Sequence, residues 1–280
     1  MTSALSSVRA ELLSFLQCPE TGAALTGWDG VTESGTLTAS DSGRTYPVRD
    51  GIPCLLPPSL RDSATTEDAE KRSEMHARDA QVGDYDNMLG LRLFTSVEVP
   101  ITLQYLRLEP GHLLLEGGCG TGRMTPFFAD RVRGLLCVDF SMESLRVAKR
   151  KLSPEQAAKT LFVQADLSQL PLRSNVFDRV GTFGVYEHIP TEATRDRAVA
   201  DMLRVMTARE SGSRFALSAY RWGPPISWNA QKEGHHDGGI YFKRFTQTEL
   251  VELLTPRLSI GGATEALLYY HLIWGRKYPA

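Results

Sequence analysis

The 280-residue chain is short of several things, and each shortage narrows what it is. It has 4 cysteines at irregular spacing, so no disulfide framework is expected and a reducing cytoplasm is the expected compartment. No apolar run approaches a membrane span, and Met1-Thr-Ser-Ala-Leu-Ser-Ser lacks the charged and apolar regions of a secretion signal. Charge of one sign is missing too: 31 Lys and Arg against 33 Asp and Glu leave a net −2. That balance argues against a broad nucleic-acid footprint, so neither membrane nor nucleic acid is an expected partner. Internal repeats and low-complexity tracts are absent. What is present is ordinary for a globular protein, 42% hydrophobic and 23% charged. The length suffices for one large core plus a smaller module.

The glycine-dense stretch Leu113-Leu-Leu-Glu-Gly-Gly-Cys-Gly-Thr-Gly-Arg123 is informative through what it has and what it lacks. An apolar run ends in Glu116, the turn follows, and Met124 to Val132 reads as a helix. Strand, turn and helix in that order place a nucleotide-type pocket at the carboxyl end of a parallel strand. A dinucleotide fingerprint needs G-x-G-x-x-G, and Arg123 stands where the third glycine belongs. The Gly-Lys-Ser/Thr of a phosphate loop is missing. Glu116 is ill placed beside a pyrophosphate and suits a ligand that carries a cationic amine.

Glu116, Gly118, Gly120 and Gly122 spell E-x-G-x-G-x-G, and here the chain resembles the class I S-adenosylmethionine-dependent methyltransferases. Three later segments extend the resemblance. Gly134 to Asp139 reads as a second strand, and Asp139 lies about 20 residues past the turn, where a carboxylate accepts the ribose hydroxyls. Phe140 beside it would cover one face of an adenine. Ser141 caps a helix from Met142 to Leu152, whose basic last turn reads as a solvated face. Thr160 to Asp166 reads as the third strand; the resemblance gives Asp166 the adenine amino group and Leu167 the ring. Phe177 to Phe183 is the fourth strand, with Asp178 readable equally as an ordinary turn acid. It runs into Gly184-Val-Tyr-Glu-His-Ile-Pro190, similar to the family's segment at that place. The resemblance implies an α/β fold: a doubly wound, seven-stranded Rossmann-like sheet that binds S-adenosylmethionine. The cofactor-binding set it implies is Tyr85, Glu116, Gly117, Gly118, Gly120, Gly122, Asp139, Phe140, Met142, Asp166, Leu167 and Phe183.

The N-terminal segment reads as a separate small α+β unit. Val8 to Leu16 has helical apolar spacing; Cys18-Pro19 and Tyr46-Pro-Val-Arg-Asp-Gly-Ile-Pro53 follow. Over roughly residues 5 to 57 it resembles the zinc-ribbon-like module that activates several tRNA and protein methyltransferases. The metal chemistry does not carry over. Thr21 replaces the second cysteine of the first pair, the second pair is missing around Ser40 to Gly43, and Cys54 reads as a core thiol. A metal-free scaffold is expected, docked on the catalytic domain or shaping its acceptor pocket. The divisions expected are 1–60 for the module, 61–110 for linker and lid helices, and 111–280 for the methyltransferase domain. Tyr85 in the lid either reaches the cofactor or packs the lid without touching it.

Beyond the fourth strand, Thr194 to Thr207 reads as a helix and Ser213 to Tyr220 as a strand. Residues 221–239 form a long irregular segment, a length that usually marks function. Thr246 and Glu249 form a capping box. Leu258 to Ile273 reads as an antiparallel hairpin turning at Gly261 or beyond. His188 is the candidate base, because it follows the fourth strand and imidazole titrates near neutrality. Tyr186, His188, Tyr220, Trp222, His235 and Tyr241 are the expected acceptor contacts, with Trp228 and Phe242 as further aromatic wall. His235-His236-Asp237 lacks a third ligand at a known spacing, so no metal is expected there. The expected function is methyl transfer to oxygen, nitrogen or carbon of a small-molecule acceptor. Two alternatives stay open: an RNA or protein methyltransferase, as the module suggests, and a cyclase or binding protein that keeps the fold.

Overall fold

Four short segments buried at every position, and a fifth buried at all but its last, form the middle of the molecule. Continuous burial is what a parallel sheet covered on both faces requires. The computed structural model describes residues 2–62, 65–85, 91–208, 212–236 and 239–278. In chain order, α1 (Thr2–Ser14) precedes the strands β1 (Leu25–Thr26), β2 (Ser34–Ala39), β3 (Thr45–Arg49) and β4 (Ile52–Pro53). The helices α2 (Pro58–Asp62), α3 (Thr66–Tyr85) and α4 (Leu91–Leu106) follow. Then come β5 (Leu113–Gly117), α5 (Thr125–Ala129), β6 (Gly134–Asp139), α6 (Met142–Arg150), α7 (Pro154–Ala158), β7 (Thr160–Gln164) and β8 (Arg179–Phe183). The chain closes with α8 (Glu192–Val205), β9 (Arg214–Tyr220), α9 (Ile226–Asn229), β10 (Glu233–His235), β11 (Tyr241–Lys243), α10 (Gln247–Leu254), β12 (Leu258–Ala266) and β13 (Tyr270–Lys277).

The large sheet runs β12-β13-β9-β8-β5-β6-β7. Strands β5 to β9 are parallel, and β13 is antiparallel to both of its neighbours. β5 pairs with β6 on one side and β8 on the other. The strand order reverses there, and a crevice opens at such a switch point. This is the seven-stranded Rossmann-like fold that the resemblance implies.

Local differences from the sequence reading have local causes. α8 starts at Glu192, because the Thr191 hydroxyl accepts from the Thr194 N–H and caps it. α5 ends at Ala129 and not at Val132. The terminal hairpin turns at Leu267 and Leu268, both at positive φ (49° and 57°). That is the later of the places the sequence allowed; Gly261 itself sits in a bulge, where the register shifts between Ile260 and Gly262. A Cβ there would lie 2.2 Å from the Trp274 ring, so the glycine makes room for that indole.

The N-terminal unit is not free-standing. Leu12, Phe15 and Leu16 belong to the same apolar cluster as Leu136, Val138 and Leu161 of the large sheet. Phe15 packs edge-on against Phe177, centroids 5.7 Å apart. After β4, Cys54 bridges to Gln164 in parallel register and the Leu55 N–H donates to Gln164 O at 2.8 Å. The module thereby extends the sheet past the β7 edge, a strand edge that would otherwise be left unpaired.

The basic turn of α6 is also not a plain solvated face. Arg146 meets Asp50 at 2.7 Å, and Lys149 Nζ reaches both Glu33 oxygens at 2.9 Å and the Asp50 carbonyl at 2.7 Å. Half-exposed pairs of this kind contribute about 1 kcal/mol or less each. Burial holds the module, and the ion pairs fix its seating. Within it, Cys18 Sγ lies 3.1 Å from the Tyr46 hydroxyl. Among the described residues no group of three His, Cys, Asp or Glu side chains is placed to share a metal ion. No helix among them is long and apolar enough to cross a membrane.

Candidate functional site

The turn after β5 lies directly against the segment after β8. Gly118 has φ +71°, and a Cβ on it would come within 2.5 Å of Val185 Cγ2. Both the conformation and the space therefore require glycine. The cavity beside this contact is lined by the ends of β5, β6, β7 and β8 and roofed by α3.

Three carboxylates at successive strand ends face the cavity. Asp139 Oδ2 accepts the Gly120 N–H at 2.8 Å and Oδ1 accepts the Ser141 N–H at 2.9 Å. A carboxylate has about four lone-pair sites, so each oxygen keeps capacity toward the cavity. Burial raises its pKa, against those two hydrogen bonds. Glu116 is nearly fully buried, and its Oε2 accepts the Thr125 hydroxyl at 2.7 Å and the Cys137 thiol at 3.6 Å. Burial pushes its carboxyl up to about 7, against the bonds from Thr125 and Cys137. Asp166 Oδ1 accepts the Ser168 N–H and hydroxyl, at 2.8 and 2.9 Å.

Asp166 Oδ2 departs from the expectation of an adenine contact. It is held at 2.7 Å by Lys71 Nζ of α3, which also donates to Ser168 Oγ at 2.8 Å and meets Glu67 at 3.0 Å. The roof is pinned a second time where the Ser141 hydroxyl donates to Asp79 Oδ1 at 2.5 Å.

On the β8 side, a 3-10 turn (Tyr186–His188) sends adjacent side chains in different directions. His188 lines the cavity. Its Nδ1 is 2.7 Å from the Tyr241 carbonyl, which only accepts, so Nδ1 carries the proton and Nε2 the lone pair. Burial, then the charge on Arg78, holds its pKa well below the ordinary 6.5, against the Tyr241 hydrogen bond. The imidazole is neutral at pH 7. Glu187 points the other way. It is fully buried, and neither carboxylate oxygen has a hydrogen-bond partner among the described residues. Burial pushes it up to about 8. Nearby, buried Glu98 of α4 accepts the Ser218 hydroxyl at 2.5 Å and pairs with Arg123 at 2.7 Å.

The expected cofactor set divides. Glu116, Gly118, Gly120, Asp139, Phe140, Asp166, Leu167 and Phe183 line the cavity. Three do not. A Cβ on Gly117 would point at Leu167 and Met202, 3.1 Å from each, and one on Gly122 would lie 2.8 Å from Ala148. Both glycines serve packing between elements. Met142 packs into the core cluster on the α4 side of the sheet. The Tyr85 side chain lies outside the described residues.

The acceptor set divides more sharply, with His188 alone of its six members on the cavity wall. Tyr186 is core, 1% exposed with its ring 5.2 Å from Phe245. Tyr220 stands behind His188, ring edge to ring face at 5.3 Å. Tyr241 is turned to Glu233, its hydroxyl donating at 2.8 Å. Trp222 is tied by its backbone N–H to Phe245 O, and Trp228 is 72% exposed. His235 is exposed; its neighbour His236 turns inward, 4.5 Å from Phe242 and 6.0 Å from His188. His235 is the last residue of β10, and His236 follows it outside the strand, where its ring packs on Phe242.

The sequence reading expects lid helices within 61–110 but names none of their charged side chains as site residues. Lys71, Glu74 and Arg78 all line the cavity. The signal was there: Glu67, Lys71, Glu74 and Arg78 recur at helical spacing.

Comparisons with known proteins divide the chain the same way. Residues 114–209 match the family described as methyltransferase domain, and residues 9–51 match the Trm112p-like proteins. A malonyl-[acyl-carrier protein] O-methyltransferase of Geobacter sulfurreducens is 29% identical over 150 residues, 53% of this chain and 54% of the relative. The match thus spans about half the length of that relative. A UPF0434 protein of Anaplasma phagocytophilum is 38% identical over 71 residues, 25% of this chain and 94% of the relative. Among solved structures, the 1,6-didemethyltoxoflavin-N1-methyltransferase of Burkholderia thailandensis, bound to 1,6-didemethyltoxoflavin and S-adenosylhomocysteine, superposes with a TM-score of 0.54. It is 18% identical, and the superposition covers 88% of this chain and 96% of that one.

Proposed function

Because the chain belongs to the class I S-adenosylmethionine-dependent methyltransferases and carries a Trm112p-like module, we propose that it methylates a small molecule in a reducing cytoplasm. The observation that carries this reading is the row of Glu116, Asp139 and Asp166 around one cavity at the tips of β5, β6 and β7. The residues present fit the cofactor. Asp139 keeps acceptor capacity for a ribose diol. Leu167 and Phe140 offer apolar faces to a base. Glu116 offers a carboxylate to a cationic amine. Asp166 reaches an adenine amino group only by sharing or releasing Lys71.

When bound, S-adenosylmethionine supplies a methyl group activated by its positively charged sulfur. The protein's part is to hold an acceptor at attack distance, keep water out and take a proton where one must leave. Phe183, Val185 and the α3 roof enclose the space. His188 Nε2 is the proton acceptor, its tautomer set by the Tyr241 carbonyl. An imidazole held well below 6.5 is a weak base, so it favours acceptors far more acidic than an alkanol, such as a phenol, enol or heterocyclic ring N–H. The basic turn of α6 is spent on Asp50 and Glu33 of the module, which speaks against that face as an RNA strip. We assign residues 1–60 the task of a built-in brace, metal-free, that covers the β7 edge beneath the cavity.

A turnover screen for S-adenosylhomocysteine release across acceptor libraries tests the proposal. Phenolic, enolic or heterocyclic acceptors should give turnover, and His188→Gln should lower kcat about 100-fold or more without loss of cofactor affinity. Binding of S-adenosylhomocysteine with no release for any acceptor class would make this a non-methylating member of the fold.

A further inference from the structure

At the end of the sheet away from the cavity, four arginines come together. Arg179 opens β8 and Arg214 opens β9, and the parallel register pairs the two directly. Strand β13 runs antiparallel past β9. Its Trp274 pairs with Ala216 and its Gly275 with Phe215, so the same register carries Arg276 to Arg214. Paired residues on neighbouring strands share a face and stand about 5 Å apart. The fourth, Arg107, directly follows α4. Arg107 and Arg276 are exposed.

Two of the four have a structural task. Arg179 Nε donates to Leu106 O at 2.6 Å and Arg214 Nη1 to Tyr105 O at 2.9 Å, so both close the carboxyl end of α4. Arg214 also stacks on Trp274, its Cζ 4.2 Å from the ring centre. A helix end carries only about half a negative charge, which one guanidinium already exceeds. Asp178 and Glu109 act on Arg179. Arg214 is 4% exposed, and the charges that act on it among the described residues are all positive: Arg107, Arg276 and Arg179. Burial first, and then those three, lower its pKa to about 10. Among the described residues none of the four is paired with a carboxylate at ion-pair distance.

Like charges on neighbouring strands repel, and capping α4 gives no reason to add Arg107 and Arg276. A bound anion does. A carboxylate would bring one charge and two oxygens. A phosphate group brings a charge of about −1.5 to −2 and three strong acceptor oxygens, which several guanidiniums can grip from different sides. We infer that Arg107, Arg214 and Arg276 form a binding site for a small molecule that carries a phosphate or diphosphate group. The site is separate from the cavity. Arg179 and the cavity residue Phe183 lie at opposite ends of β8, about 13 Å apart. An anion held here touches neither the methyl donor nor its acceptor, and the assignment stands apart from the reaction proposed above.

Calorimetric titration of the full chain with pyrophosphate and with inorganic phosphate, at fixed ionic strength, tests the site. Pyrophosphate should bind, and inorganic phosphate should bind more weakly, since it brings less charge. Arg107→Gln and Arg276→Gln change exposed side chains and should leave the fold intact by circular dichroism. Each should weaken pyrophosphate about 10-fold. Excess S-adenosylhomocysteine should leave pyrophosphate affinity within about twofold. No heat with pyrophosphate overturns the assignment. So does pyrophosphate binding that either substitution leaves unchanged, or that S-adenosylhomocysteine displaces, since the anion would then sit with Lys71, Arg78 and Arg123 of the cavity. If an RNA oligonucleotide binds and both substitutions weaken it, while pyrophosphate does not bind, the row is a nucleic-acid contact and the small-anion assignment fails.

Discussion

Replacing Glu187 by glutamine removes a buried carboxyl whose oxygens have no hydrogen-bond partner on another residue among the described residues. Burial, reinforced by the like charge of Glu98, outweighs the residue's own backbone N–H and the opposite charges of Arg78 and Arg123. Its pKa of about 8 in the folded protein compares with an ordinary 4.5. Between those values the folded chain holds a proton that the unfolded chain has lost, so stability declines as pH rises through that window. The decline stops once the folded carboxyl ionises as well, near pH 8. From pH 6 to pH 9 the difference persists for about two pH units, at about 1.36 kcal/mol each, or roughly 2–3 kcal/mol. Glutamine keeps the shape and does not titrate. Glu116 and Asp139 also titrate high but are common to both proteins, so they cancel in the comparison. Urea melts of the ligand-free proteins at pH 6 and pH 9 measure the effect. Glu187→Gln should gain roughly 2–3 kcal/mol on the wild type between the two conditions, about 4 °C in melting temperature for a chain of this size. If the gap between the two proteins is the same at both pH values, the carboxyl titrates in the ordinary range and the reasoning fails.

Two further outcomes follow from the same geometry. Glu116 titrates at about 7 in the free protein, and only its ionised form attracts an ammonium. The Kd for S-adenosylhomocysteine should therefore rise as pH falls from 8 to 6, and Glu116→Gln should flatten that dependence; an unchanged slope in the variant would remove Glu116 from the amine's site. Phe15 is buried against Phe177 in the shared cluster, so Phe15→Ala should cost about 3–5 kcal/mol and lower a single melting transition; a separate early transition for the module would show that it folds on its own.

Much of the fold was legible because its determinants are local. β5 to β8 announce themselves as short apolar runs, each bounded by a turn, and Glu116, Asp139 and Asp166 end or follow three of them. Gly118 was readable because a left-handed turn pressed against Val185 admits no side chain. The order of the segments along the chain carried the rest, since short connections and right-handed crossovers leave few ways to arrange them.

The acceptor wall was not legible, for a physical reason. Tyr186, Glu187 and His188 share one 3-10 turn, yet one packs in the core, one is buried with no hydrogen-bond partner among the described residues and one faces the cavity. Strands and helices impose a period on side-chain direction; a three-residue turn imposes none, and its neighbours decide.

The sequence by itself determined the parallel sheet, the glycine turn and the acids at the strand ends, because backbone propensity and apolar pattern act over a few residues. Lid helices were expected in this stretch, and only the tertiary structure decided which side chains of α3 face the cavity. Lys71 meets Asp166 across 95 residues of chain, and charges at helical spacing look the same whether water or a cavity lies beneath them. The seating of the module was settled there too. Phe15 and Leu55 find the large sheet because its edge and lower face were left uncovered, and burying that surface is worth more than keeping two separate cores.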